Sequence, residues 1–336
     1  MSNISKFFIY FIVAIAVLTG FIGFLLAYMP SRMSEQHTNE IVELYFQDAG
    51  YSVDSFNSTW ASKMEQYNLV SEQGHTIPVF YICSNEDYNN KTIILIHWHE
   101  SNHIAMYPIA EDFLEQGWNV ALYDQRAHGK NTAKTVTFGY LESLDLQQVV
   151  DFIFEKSNGA TIGALGQSMG AATLAYYSGT EHASQHLDFA VIDSSFSGMY
   201  DEIYWEVSKA KFPLPAKALT TLGSGFCKLI YNYSFSDVDI VEQIGSSSIP
   251  TLILHNKSDQ KCPFYMGQEL FEAIPHSKKE FVTFEDSDHL FSYWDETGRY
   301  MNEVSSFIDQ YVMRGKEQPS TNFSFPHRVL SSIMEP

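Results

Sequence analysis

Cysteine is scarce in this chain of 336 residues: Cys83, Cys227 and Cys262 are widely spaced and odd in number. No Cys-x-x-Cys pair occurs, which excludes a disulfide framework and leaves room for one bridge at most. Basic charge is scarce as well. Twenty Lys and Arg stand against 40 Asp and Glu, for a formal net charge of −20. That balance excludes nucleic acid as a partner, because phosphates call for a basic footprint. No internal repeat is present.

Long apolar runs are also lacking, with one exception. Phe7 to Met29 carries no charged residue. At about 1.5 Å per residue it is long enough for a bilayer core of about 30 Å. A signal-peptide core is shorter and ends in a small-x-small cleavage site. This run ends Leu26-Ala27-Tyr28-Met29-Pro30, which fits cleavage poorly. The expectation is an uncleaved single-pass anchor rather than a cleaved signal or a buried core helix. Lys6 precedes the run, and Arg32 follows it with Glu35 and Glu40. A weak positive-inside bias places a short tail in the cytoplasm and the remaining chain outside.

Apolar residues are otherwise plentiful. The chain is 45% hydrophobic and 15% aromatic, enough for one large core with an insertion. Strand and helix patterns alternate: strands at 92–97, 118–123 and 160–165, helices near 106–116, 143–156 and from 169. Two further strands surround a turn at Gln73-Gly74-His75. Such alternation predicts an α/β fold, a mostly parallel sheet with helices on both faces.

The motif that carries chemistry is Gly166-Gln167-Ser168-Met169-Gly170, set between the apolar run 160–165 and a helical run. Gly-x-Ser-x-Gly at a strand-to-helix turn is the pattern of a nucleophile elbow. A serine hydroxyl needs a base, and that base needs an orienting carboxylate. Asp259 follows the apolar strand 251–255, and His289 follows the strand 280–284. Ser168, Asp259 and His289 are therefore the candidate catalytic residues. Asp193, after an apolar strand of its own, is the weaker candidate acid. Two backbone N–H groups are needed for an oxyanion. Met169 supplies one. The loop His97-Trp98-His99-Glu100 supplies the other, from His99 or alternatively Trp98.

Several segments resemble the α/β-hydrolase superfamily, in particular its bacterial membrane-anchored or secreted serine hydrolases of the aminopeptidase/esterase-like group. They are Asn119 to Gly129 with its Asp-x-Arg-x-His-Gly ending, Phe138 to Asp145, Val191 to Phe196 and Ile249 to His255. The order Ser, acid, His is also that of the superfamily. Family members often carry His-Gly where this chain has His97-Trp98, a departure. The resemblance spans roughly residues 67 to 312. It implies an α/β-hydrolase fold and a serine hydrolase that cleaves a carboxylic ester or thioester through an acyl-enzyme on Ser168, with no cofactor. A peptidase or amidase using the same residues is the alternative, and a catalytically silent membrane-anchored binding protein is the third reading.

The implied layout is an anchor with a short cytoplasmic tail at 1–32 and a helical stalk packed on the domain at 33–66. A hydrolase domain follows at 67–314, with a lid inserted at about 197–248, and a mobile tail at 315–336. Aromatics of the insertion read mostly as its own core. Trp205 and Phe212, with Trp98, are the candidate contacts to a small-molecule or lipid-like acyl substrate. Lys209, Lys211, Lys217 and Lys228 read as a solvated helix face, with an anionic substrate or lipid headgroup as the alternative. Cys262 reads as a small semi-buried residue, and His128 as structural. His97, His99, His103 and Glu100 lack the aspartate of a dinuclear zinc run, so no metal is expected. Asn57-Ser58-Thr59 and Asn256-Lys257-Ser258 match glycosylation acceptors by chance.

Overall fold

The computed structural model describes residues 3–26, 33–84, 91–157 and 160–313. The tail expected at 315–336 lies outside them. Helix α1 spans Asn3–Leu26, α2 Glu35–Ala49 and α3 Val53–Trp60. The strands are β1 Met64–Val70, β2 Thr76–Ile82, β3 Lys91–Ile96, β4 Asn119–Tyr123, β5 Thr161–Gln167, β6 Phe189–Asp193, β7 Thr251–Asn256 and β8 Lys279–Phe284. Between β3 and β4 lies α4 (Tyr107–Glu115), and between β4 and β5 lies α5 (Tyr140–Ser157). Helices α6 (Met169–Ser178) and α7 (Glu181–His186) join β5 to β6. Helices α8 (Met199–Lys209), α9 (Ala216–Tyr231) and α10 (Ile240–Ile244) occupy the long passage from β6 to β7. Helix α11 (Phe264–Ala273) leads to β8, and α12 (Ser292–Asp295) and α13 (Thr297–Ile308) follow it.

The eight strands form one sheet in the order β1-β2-β4-β3-β5-β6-β7-β8. Pairings β1–β2 and β2–β4 are antiparallel, and all others are parallel. From β3 the chain moves one way to β4, then crosses back to place β5 on the other side of β3. The order reverses there, so the loops leaving β3 and β5 open a crevice at the carboxyl ends of the strands, where open α/β sheets bind ligands.

Alternate residues of each central strand serve opposite faces. Ile94, Ile96, Ala121 and Ala164 join the core under α5, α6 and the β6–β7 passage. Ile93, Leu95, Val120, Leu122 and Leu165 join the core under α2, α3, α4 and α13. Burial on both faces explains why these strands read as continuous apolar runs. Each of the buried Val, Leu and Ile side chains contributes about 1.5–3 kcal/mol.

Two boundaries differ from the sequence reading. Helix α5 begins at Tyr140 rather than near 143. The Glu142 carboxylate accepts hydrogen bonds from Thr137 N, Thr137 Oγ1 and Gly139 N, and Thr137 Oγ1 accepts from Leu141 N. This capping starts the helix one turn earlier. Strand β1 begins at Met64, inside the segment expected to be stalk, because pairing with β2 runs from Met64 to Val70.

Candidate active site

Ser168 lies between β5 and α6 with φ 51° and ψ −116°, a conformation rare for a residue with a side chain. Its N–H donates to Asp193 O at 2.8 Å, which locks the turn to β6. The flanking glycines are required by space. A Cβ on Gly166 would stand 2.3 Å from Gly170 O, and one on Gly170 would stand 2.2 Å from Ile96 O. Met169 opens α6, so its N–H has no carbonyl within the helix.

Residues far apart in sequence meet at this turn. His289 Nε2 lies 2.9 Å from Ser168 Oγ, and His289 Nδ1 lies 2.7 Å from Asp259 Oδ2. The other carboxylate oxygen, Asp259 Oδ1, accepts from Lys261 N at 2.8 Å and Cys262 N at 2.9 Å. Asp259 is buried, and His289 keeps one edge exposed. Asp193 is engaged elsewhere: its carboxylate accepts from Gln167 Nε2, Tyr300 Oη and Ser194 Oγ. Burial raises its pKa against those bonds.

The loop after β3 is held by His97. Gln125 N–H donates to His97 Nε2 at 2.9 Å, so Nδ1 carries the proton and donates to Trp98 O at 2.7 Å. Burial, then the neighbouring His128, pushes His97 down to about 3, which keeps the ring neutral. Ser101 Oγ donates to the same Trp98 carbonyl. In a trans peptide the N–H points opposite to the C=O, so the His99 N–H turns away from this cluster. The His99 ring stacks on Phe138 and meets His128 edge-on, and burial pushes its pKa well down. Burial likewise pushes His128 down to about 4. Asp124 accepts from both N and Nδ1 of His103. Burial acts to raise Asp124, but His103 outweighs it and the carboxyl falls to about 2.

The substrate-contact candidates lie in three different surroundings. Trp98 is buried, with its ring 4.7 Å from that of Tyr45 on α2. Trp205, on α8, donates from Nε1 to Gln260 O, beside Asp259. Phe212 is exposed in the loop before α9. Within the insertion, Tyr233 and Phe235 are buried, as expected of its own core.

Two groups near the site, Glu202 and Tyr45, escape the sequence reading, and a third, Cys262, differs from it. Cys262 is fully buried rather than semi-buried, with its thiol close to Ser168. The reason is local: its backbone N–H closes onto Asp259, which turns the side chain inward. Glu202, on α8, is buried, and its Oε2 has no hydrogen-bond partner among the described residues. Burial pushes its carboxyl up to about 8. Tyr45 reaches across from α2 to the carbonyl of Leu290. No pattern in the sequence marks Glu202 or Tyr45; Cys262 at least lies near Asp259.

Among the described residues, Asp151, His182 and His186 are the group whose side chains could hold a metal ion. His182 is already bonded through Nε2 to Asp151 and through Nδ1 to Tyr177 Oη. The residues of this group lie on α5 and α7. His97, His99, His103 and Glu100 do not form such a group.

The sheet order, the crossovers and the strand-to-helix turn at Ser168 define an α/β-hydrolase fold. The family model described as "Serine aminopeptidase, S33" matches residues 88–222. The chain is 28% identical over 289 residues to the uncharacterized protein YqkD of Bacillus subtilis, covering 86% of this chain and 92% of that one. The esterase Pf2001 of Pyrococcus furiosus superposes with a TM-score of 0.59 at 21% identity, covering 79% of this chain and 95% of the esterase. A shorter match, 26% identical over 124 residues, is to a probable lysophospholipase L2 of Haemophilus influenzae, covering 35% of this chain and 39% of that one.

Proposed function

We propose that this protein is a serine hydrolase that cleaves a carboxylic ester or thioester through an acyl-enzyme on Ser168. The observation that carries the reading is the continuous relay from Ser168 Oγ through His289 to Asp259, at 2.9 and 2.7 Å. His289 takes the hydroxyl proton as Ser168 attacks the carbonyl carbon. The oxyanion rests on the N–H groups of Met169 and His99, the latter favoured by the orientation of the Trp98 peptide. His289 then protonates the leaving group, and water, deprotonated by the same histidine, releases the acid. Asp259 holds the histidine tautomer and stabilises its charged form.

Helix α1 is long and apolar enough to cross a membrane over Ile9–Leu26. We read it as an uncleaved anchor with the hydrolase domain on the extracytoplasmic side. Similarity to an esterase and to a probable lysophospholipase favours an ester of a small molecule or lipid. The serine aminopeptidase family model favours a second reading, a peptidase using the same residues.

Fluorophosphonate labelling of the full chain tests the mechanism, with Ser168→Ala alongside. Labelling of the wild type alone supports it. A folded wild type that resists the probe, with the site shown to be accessible, would sink it and favour a silent binding protein. Turnover of p-nitrophenyl esters against aminoacyl amides separates esterase from peptidase.

A further inference from the structure

Helix α1 does not stand apart from the hydrolase domain. Its C-terminal end lies against α9, in the passage from β6 to β7. A Cβ on Gly23 would stand 2.9 Å from Leu222 Cβ, and one on Gly223 would stand 3.0 Å from Leu26 Cβ. Phe24 meets Phe226 edge-on, with ring centroids 6.0 Å apart. Glycines on both helices permit this close approach, as in helix pairs within bilayers. The last turns of the apolar span therefore sit directly on α9.

Helix α9 also carries an exposed stripe, which α1 meets at Leu222. Ala218, Leu222, Gly225 and Leu229 recur at the spacing of one helix face. Leu229 is 80% exposed and Ile230 41%, while Phe212 in the preceding loop is 45% exposed. The opposite face, with Leu219, Gly223 and Cys227, is buried. Single exposed leucines need no explanation. This stripe continues from a helix suited to lipid.

Charge singles out the same segment. The chain holds 40 acidic residues, yet none lies between Glu206 and Asp237, where Lys209, Lys211, Lys217 and Lys228 all fall. Lys209 and Lys228 pair with those bounding acids, Glu206 and Asp237. Lys211 and Lys217 are exposed. Basic residues beside an exposed apolar face are the pattern of an element lying in the interface of an anionic bilayer.

We infer that the α9 face rests on the membrane that α1 enters, with Leu229, Ile230 and Phe212 at the acyl boundary and Lys211 and Lys217 on anionic headgroups. The protein then takes its acyl substrate from the bilayer: the substrate is a lipid ester. The segment also touches the candidate site, since Trp205 Nε1 and Lys209 Nζ both donate to Gln260 O, beside Asp259. This inference rests on reading α1 as an anchor and Ser168 as a nucleophile.

The test uses the full chain in phosphatidylcholine vesicles with and without phosphatidylglycerol. An environment-sensitive fluorophore is placed at Leu229→Cys, or at Gln185→Cys on α7 as the control, in a Cys83→Ser background. The probe at position 229 is expected to shift to the blue and to be quenched by spin-labelled lipid, more strongly with phosphatidylglycerol, while the probe at 185 stays in water. The double variant L229D/K217E is expected to lose on the order of tenfold in rate on a vesicle-embedded fluorogenic acylglycerol. It should hold p-nitrophenyl acetate turnover within about twofold, which also reports that it folds. Chains that float with vesicles but show an unquenched probe at 229 overturn the inference alone. Chains that fail to float remove the anchor reading and this inference with it. A quenched probe with no turnover of either ester upholds the membrane face and removes the hydrolytic reading.

Discussion

Tyr45 Oη donates to the carbonyl of Leu290, one residue past His289, and itself accepts a hydrogen bond from Trp294 Nε1 at 2.7 Å. Its ring also packs against Trp98 and Phe291. Helix α2 thus ties the His289 loop to the loop that follows β3. Tyr45→Phe keeps the ring and removes the hydroxyl. It is predicted to cost about 1 kcal/mol of stability. The loosened loop should lower kcat by up to about tenfold with KM little changed. Steady-state kinetics beside a thermal melt check this, and an unchanged kcat would show that the His289 loop does not need the tie.

Asp259→Asn leaves the shape of the site intact but replaces the acceptor of the His289 Nδ1 proton. With Oδ1 still held by the N–H groups of Lys261 and Cys262, the amide NH2 takes the place of Oδ2 and faces His289. The ring is then turned to the wrong tautomer. A loss of about 10⁴ in kcat is predicted for ester turnover. A loss below tenfold would point to another carboxylate, and Asp193→Asn would then be the variant to measure.

How far the sequence discloses this molecule depends on range. Strands β3, β5 and β7 are legible because both faces are buried, so each is an unbroken apolar run that ends in turn residues. The Ser168 turn is legible because two glycines are needed within five residues to let β5, α6 and the end of β3 approach. Asp259 is legible because it follows such a run, and His289 because it follows the half-buried strand β8. Tyr45 is not: its partner Leu290 lies 245 residues away, and on α2 it reads as one aromatic of an amphipathic helix. Glu202 is hidden for a related reason. Beside Asp201 and Glu206 it looks like part of a solvated face until α8 docks against the Asp259 loop through Trp205. The approach of α1 to α9 depends on Gly23 and Gly223, and either glycine alone carries no signal.

Gly170→Ala tests the packing of the Ser168 turn. The added methyl would stand 2.2 Å from Ile96 O and 2.6 Å from His97 O. Both carbonyls belong to the start of the loop that presents His99, so relief of the clash must move that loop or α6. A destabilisation of about 1–3 kcal/mol is predicted, with ester turnover falling by more than the melting temperature suggests. Turnover that falls only as the folded fraction falls would mean that the loop after β3 has no part in the reaction.

Glu202 gives stability an unusual dependence on pH. Burial raises its carboxyl from 4.5 to about 8. Between those values the folded protein holds a proton that the unfolded chain has released. The unfolded state therefore binds fewer protons, and the contribution of Glu202 to stability falls as pH rises through this window. The slope is about 1.4 kcal/mol per pH unit while the difference is complete. Below the window both states are protonated, and above it both are ionised, so the contribution is level at each end. Glu202→Gln substitutes a neutral group of the same shape. The variant should match the wild type near pH 4.5, gain on it steadily towards pH 8 and hold a constant lead above that. Urea unfolding at a series of pH values measures the difference directly. A difference that stays flat across the series would mean that Glu202 is ionised in the folded protein and that solvent or a cation reaches its carboxylate.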